Sequence, residues 1–262
     1  MSDPWFPPIP PITPKDRSSP IVPTHDQLSV LYVIVVYAVV LFGLWTIPGI
    51  RLMIIPLKLF AIGWHELCHA ILAIMTGGTI TRISIDPSTG GRTTVQDGHP
   101  PSILCAGYVG STLMGGLFIL GGFDSLAAKL LSFVAGVGLI APLSLVRDKL
   151  TILLTVFYEG LLIGFWFIDH AQALRYYMLF IGMIHILYVI WDITDEKFFR
   201  KPHDSDCTQF SYLYKAVPAH VWAMFWIVFQ LGSLIGFIFI GIAAFKLTPD
   251  QMNVEASRFL PT

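Results

Sequence analysis

Apolar stretches of about twenty residues, at 28–47, 53–75, 102–122, 126–146, 150–168, 174–193 and 217–246, constrain this chain more than any other feature of its sequence. A helix rises 1.5 Å per residue, so a run of that length crosses a hydrocarbon core of about 30 Å. Lipid offers no partner to a backbone N–H or C=O, and long apolar runs without alternation satisfy theirs internally only as helices. The expected fold is therefore an all-α polytopic membrane protein with about seven transmembrane helices.

Composition agrees, since only 13% of the 262 residues are charged and 55% are hydrophobic, against about 25% charged in an ordinary soluble domain. The net charge of -1 comes with no basic face, which leaves nothing for a nucleic acid to bind. No internal repeat is visible, and this argues against a transporter built from two related halves.

Three parts are expected. Residues 1–27 carry Pro4, Pro7, Pro8, Pro10, Pro11, Pro14, Pro20 and Pro23 and read as an exposed tail, partly polyproline II. Its Pro7-Pro8-Ile9-Pro10-Pro11 stretch is a candidate ligand for a partner's aromatic groove. Residues 28–246 form the transmembrane domain, and 247–262 a C-terminal tail. The N-terminus lacks a charged region leading straight into an apolar core, so insertion is expected to rely on the first span. Cys68, Cys105 and Cys207 make no CxxC pair and read as packing residues. Lys15, Arg17, Arg82, Arg92, Arg147, Lys149, Lys197, Arg200, Lys201 and Lys215 group on one face, with Arg51, Lys58, Lys129, Arg175, Lys246 and Arg258 on or near the other. By the positive-inside rule the tail is then cytosolic.

The chemistry sits in the second span, at His65-Glu66-Leu67-Cys68-His69. Positions i and i+4 share one face of a helix, so both imidazoles can reach one zinc ion while Glu66 is angled toward the open coordination position. A glutamate there can take the proton of a metal-activated water, which makes Glu66 the candidate general base. Ionisable groups at membrane depth are costly and usually mark function.

Thr76-Gly77-Gly78 ends that helix, and 79–85, a turn through 86–91 and 92–95 predict a small β-hairpin. Such a hairpin could offer an edge to an extended peptide. The third span is dense in small residues, Ala106, Gly107, Gly110, Ser111, Gly115 and Gly116, and is expected to pack closely on the HExxH helix.

Hydrolytic zinc usually has a third protein ligand. Spacing leaves Asp192, Glu159, Asp169, Asp195 and Asp206 all open, with His185 a packing or supporting residue.

On HExxH followed by Ala70, the Thr76-Gly77-Gly78 exit, Ala106-Gly107-Tyr108-Val109-Gly110-Ser111, and Trp191-Asp192-Ile193 with Ser205-Asp206 downstream, residues 63–206 resemble the site-two protease clan of intramembrane zinc metalloproteases, in its compact branch, peptidase family M50, branch B. The resemblance implies Zn2+ as cofactor, His65, His69 and Asp192 as its ligands, and Glu66 as base. It also implies a membrane-protein substrate cleaved in or beside the bilayer. Better-known members carry the aspartate in an Asn-x-x-Pro-x-x-x-Leu-Asp-Gly setting. Here Ile193 follows Asp192, and the chain's asparagine is Asn253. The competing class is a non-proteolytic multi-pass scaffold or metal-handling transporter that keeps the zinc site.

Overall fold

The computed structural model describes residues 20–44, 47–86, 90–197 and 204–259. The Pro7–Pro11 stretch, the hairpin tip at 87–89, and Arg200 and Lys201 lie outside the described residues. Eleven helices and one hairpin follow in chain order: α1 His25–Leu44, α2 Pro48–Met53, α3 Ile55–Met75, β1 Thr79–Asp86, β2 Gly90–Gln96, α4 Pro100–Gly121, α5 Ser125–Ile140, α6 Lys149–Phe167, α7 Gln172–Ile186, α8 Tyr188–Lys197, α9 Asp206–Leu213, α10 Ala219–Ala244 and α11 Pro249–Phe259. Among the described residues six helices are long and apolar enough to cross a membrane, or seven if α7 and α8 are one span bent by 54°. The protein is thus an all-α multi-pass membrane protein with a small hairpin after the HExxH helix.

The centre of the bundle is α4, packed on α3 and on α7. Its small residues permit contacts that a side chain would block. A Cβ on Gly110 would collide with Cys68, one on Gly115 with the backbone of Ile186, and one on Gly182 of α7 would meet Ile119 and Gly115 of α4. In lipid such close approach replaces the hydrophobic driving force that packs soluble helices. Trp64 adds a bond across the same seam, its indole N–H donating to the Gly110 carbonyl at 2.9 Å.

The hairpin runs back along α3. Its open end sits where α3 stops, at Thr76, Gly78 and Gly98, and its tip end reaches Ile62 and Glu66 through Gly91. That stretch of α3, 14 residues, is about 20 Å long. A bulge between Ile80 and Arg82 inserts one extra residue. Ile80, Ile83 and Ile85, whose spacing breaks strict two-residue alternation, therefore pair with Val95, Thr93 and Gly91 and share one face of the hairpin. Ile85 packs against Gly63 of α3.

The charged 197–215 segment, between the last two apolar stretches, contains α9, whose Asp206, Cys207 and Phe210 are buried against α4 and α10. Within residues 247–262, α11 packs on α5 with Met252 and Ala256 buried, and the Lys129 ammonium donates to the Ala256 carbonyl at 3.2 Å. The expected grouping of basic residues by face does not hold. The Arg175 guanidinium pairs with Asp26 at 2.6 Å, and the Lys246 ammonium donates to the Val22 carbonyl at 2.7 Å, so the start of α1 lies with residues assigned to the opposite face.

Candidate metal centre

Helical geometry puts His65 and His69 one turn apart on α3, and both are buried. Each ring is fixed from behind. The His69 Nδ1–H donates to the Ile103 carbonyl at 2.6 Å, leaving Nε2 with a lone pair aimed away from the helix. His65 has Ser111 Oγ 3.5 Å from Nδ1, and Tyr188 stacks on its ring with centroids 4.3 Å apart. Gly107 is the wall behind the pair, since a Cβ there would run into both imidazoles. The small residues of α4 thus make room for the two rings as well as for the helix.

The carboxylate that meets these rings comes from Asp206. Its Oδ2 lies 3.0 Å from His65 Nε2 and 3.1 Å from His69 Nε2, and the two ring nitrogens are 2.9 Å apart. Asp206 is the first residue of α9, after the N-cap Ser205, whose hydroxyl accepts from the Thr208 N–H. Among the described residues these three side chains form the one group of His, Cys, Asp or Glu whose ligand atoms converge closely enough to hold a metal ion.

This donor set fits a cation. Asp206 Oδ2 is buried and accepts no hydrogen bond among the described residues. With His69 donating through Nδ1, its Nε2 is an acceptor facing another acceptor, an arrangement of converging lone pairs that a positive ion relieves. Two imidazoles and one carboxylate with an open fourth position are also the ligand types of hydrolytic zinc.

Glu66, next along α3, is buried and turned toward the hairpin. Its Oε2 accepts from the Thr93 hydroxyl at 2.7 Å, and Gly91 lies so close that a Cβ there would strike the carboxylate. Glu66, His65, His69 and Asp206 line a cleft of about 600 Å³ whose other walls include Gly91–Val95 of β2, Tyr188 and Asp192.

The other carboxylates go elsewhere. Asp192 reaches the cleft but not the group of converging atoms, because its Oδ2 is taken by the Tyr108 hydroxyl at 2.7 Å. The expectation that Asp192 meets the two imidazoles is therefore corrected to Asp206. Asp195 is paired with Lys58 and with Arg51, the latter at 3.4 Å. Glu159 is half-buried in α6 beside Gly136 of α5, and Asp169 is exposed. His185 is a packing residue, edge-on to Phe60 with ring centroids 4.5 Å apart. One local signal pointed to Asp206: Ser205 followed by Cys207 and Phe210 is a helix start with an apolar face, inside a segment whose charge suggested a loop.

No curated protein matches the chain, and no solved structure does. A sequence model of the family described as peptidase M50B-like matches residues 33–237, a stretch that contains the HExxH helix, the hairpin, α4, α8 and α9. With that match over most of its length, the chain belongs to the peptidase M50B-like family of membrane-embedded metallopeptidases.

Proposed function

We propose that this protein is a zinc-dependent endopeptidase that hydrolyses peptide bonds in membrane-spanning or membrane-adjacent segments of other proteins. The observation that carries the reading is the convergence of His65, His69 and Asp206 with Glu66 one residue along the same helix, all facing one cleft. His65, His69 and Asp206 would hold a zinc ion, which when bound would supply Lewis acidity and lower the pKa of a water to about 7.

Glu66 is placed to accept a proton from a water in the cleft and to return it to the leaving nitrogen. Thr93 holds one carboxylate oxygen of Glu66, which fixes the other toward the cleft. His69 keeps its Nε2 lone pair forward because Ile103 occupies Nδ1–H. A substrate span has its carbonyls tied up in helical bonds and must unwind before attack. The β2 wall suits the unwound chain, since an extended peptide lying along Gly91–Val95 can exchange main-chain hydrogen bonds with a strand.

The test is cleavage of a single-span substrate by purified protein in lipid vesicles. The wild type should cleave, should stop on chelation and should recover with zinc. His65→Ala and His69→Ala should each lose stoichiometric zinc by elemental analysis, because two remaining ligands hold the ion too weakly. Zinc at one per chain in both variants sinks the metal assignment. Transport of zinc across the vesicle membrane with no cleavage would favour a metal-handling transporter.

A further inference from the structure

The metal centre has one candidate ligand outside the HExxH helix. Asp206 stands at the start of the eight-residue α9. The residues around it are tied down. The Ser205 N–H donates to Glu196 Oε2 at 2.9 Å, and the Thr208 hydroxyl lies 3.0 and 2.9 Å from the two Glu196 oxygens. On the other side the Cys207 N–H donates to the Tyr108 oxygen at 3.3 Å, and the Tyr108 hydroxyl in turn donates to Asp192 Oδ2 at 2.7 Å.

Both Glu196 and Asp192 belong to α8, the arm that swings away from α7 after Leu187. The arm is itself pinned to α3, because the third carboxylate of α8, Asp195, pairs with Lys58. Tyr108 follows Gly107, the wall behind both imidazoles, so one turn of α4 sets the position of the histidines and of the α9 backbone.

We propose that Tyr108 and Asp192 are positioning residues that seat Asp206 at the metal, with α8 as the arm that carries the third ligand into place. This rests on the metallopeptidase reading above. The phenol has a single proton. It goes to the Asp192 carboxylate at 2.7 Å, a far better acceptor than the Cys207 sulfur at 3.3 Å, while a lone pair of the same oxygen accepts from the Cys207 N–H, and that order fixes what each substitution does. Tyr108→Phe removes both bonds. Asp192→Leu leaves the phenol without its acceptor. Asp192→Asn still accepts through its amide oxygen.

The experiment measures zinc affinity of the purified full chain by competition with a chelator, together with the visible spectrum of the cobalt-substituted protein, which reports coordination directly. Loss of a group that supports a metal ligand typically costs 10–100-fold in affinity. Tyr108→Phe and Asp192→Leu should fall in that range and shift the cobalt bands, while Asp192→Asn stays close to wild type and Asp206→Asn loses the ion. Wild-type affinity and spectrum in Tyr108→Phe overturn the proposal. Equal loss in Asp192→Asn and Asp206→Asn also overturns it, because Asp192 is then a ligand. If one of the Phe and Leu variants does not fold, the other decides, because each breaks the same chain of bonds between α8, Tyr108 and α9. Stoichiometric zinc in His65→Ala would sink the metal site, a failure distinct from that of the positioning network.

Discussion

His65 and His69 stand on a 21-residue helix clamped against α4 at glycine-width contacts, whereas Asp206 rides at the start of an eight-residue helix that packs Phe210 on Trp222 of α10 and is tied at its Asp206 end by polar bonds to α8 and α4. The two halves of one centre are therefore kept in place by different physics. Packed backbone has no give, so the histidine half is pre-formed and responds badly to any added volume. Hydrogen bonds are worth about 1 kcal/mol each and can be lost one at a time, so the aspartate half can loosen without the bundle coming apart. A site that must admit an unwound segment of another protein has a use for one rigid side and one adjustable side.

The widest separation between chemistry and scaffold is expected at Glu66, which rests between the two halves against the hairpin. Glu66→Gln keeps the shape and cannot take a proton, so cleavage should fall by about 10²–10⁴-fold while zinc content stays at the wild-type level by elemental analysis. Unchanged cleavage would identify another base.

The rigid half is broken next. Gly107→Ala puts a methyl where both imidazoles pack, and the site should lose stoichiometric zinc although no ligand has been changed. If this variant binds zinc normally, α4 is not the wall that the comparison requires. A smaller effect is expected at Gly115→Ala, which presses α4 against the Ile186 backbone just before the bend. Overpacking of this kind costs about 1–3 kcal/mol, read as a lower midpoint in thermal denaturation with the metal still bound.

The adjustable half should show the mildest response. Ser205→Ala removes the cap of α9, worth about 1 kcal/mol. Faster hydrogen exchange should appear in α9 while α3 and α4 stay protected. Equal loosening of α3 would mean that the halves are one cooperative unit.

Much of this was legible in the residues. The spans at 53–75 and 102–122 fall within two residues of α3 and α4, because an apolar run of fixed length has one way to satisfy its backbone in lipid. The glycines of α4 announced close packing, and Thr76-Gly77-Gly78 announced the exit, with Gly77 at φ 83°. What escaped was anything that depended on a turn in direction. The break after Leu187 comes with no proline or glycine within four residues of it, and α9 hides in a stretch rich in charge.

By itself the sequence determined the membrane class, the hairpin and the side-by-side placement of His65, Glu66 and His69. Each of these follows from local periodicity: the 3.6-residue turn, the two-residue alternation, and the length of chain that lipid demands. Only the tertiary structure decided which carboxylate meets the histidines. That choice hangs on the bend between α7 and α8, on Tyr108 occupying Asp192, and on α9 folding back into the bundle. All three are relations between segments far apart in the chain, and no local pattern of residue types carries them.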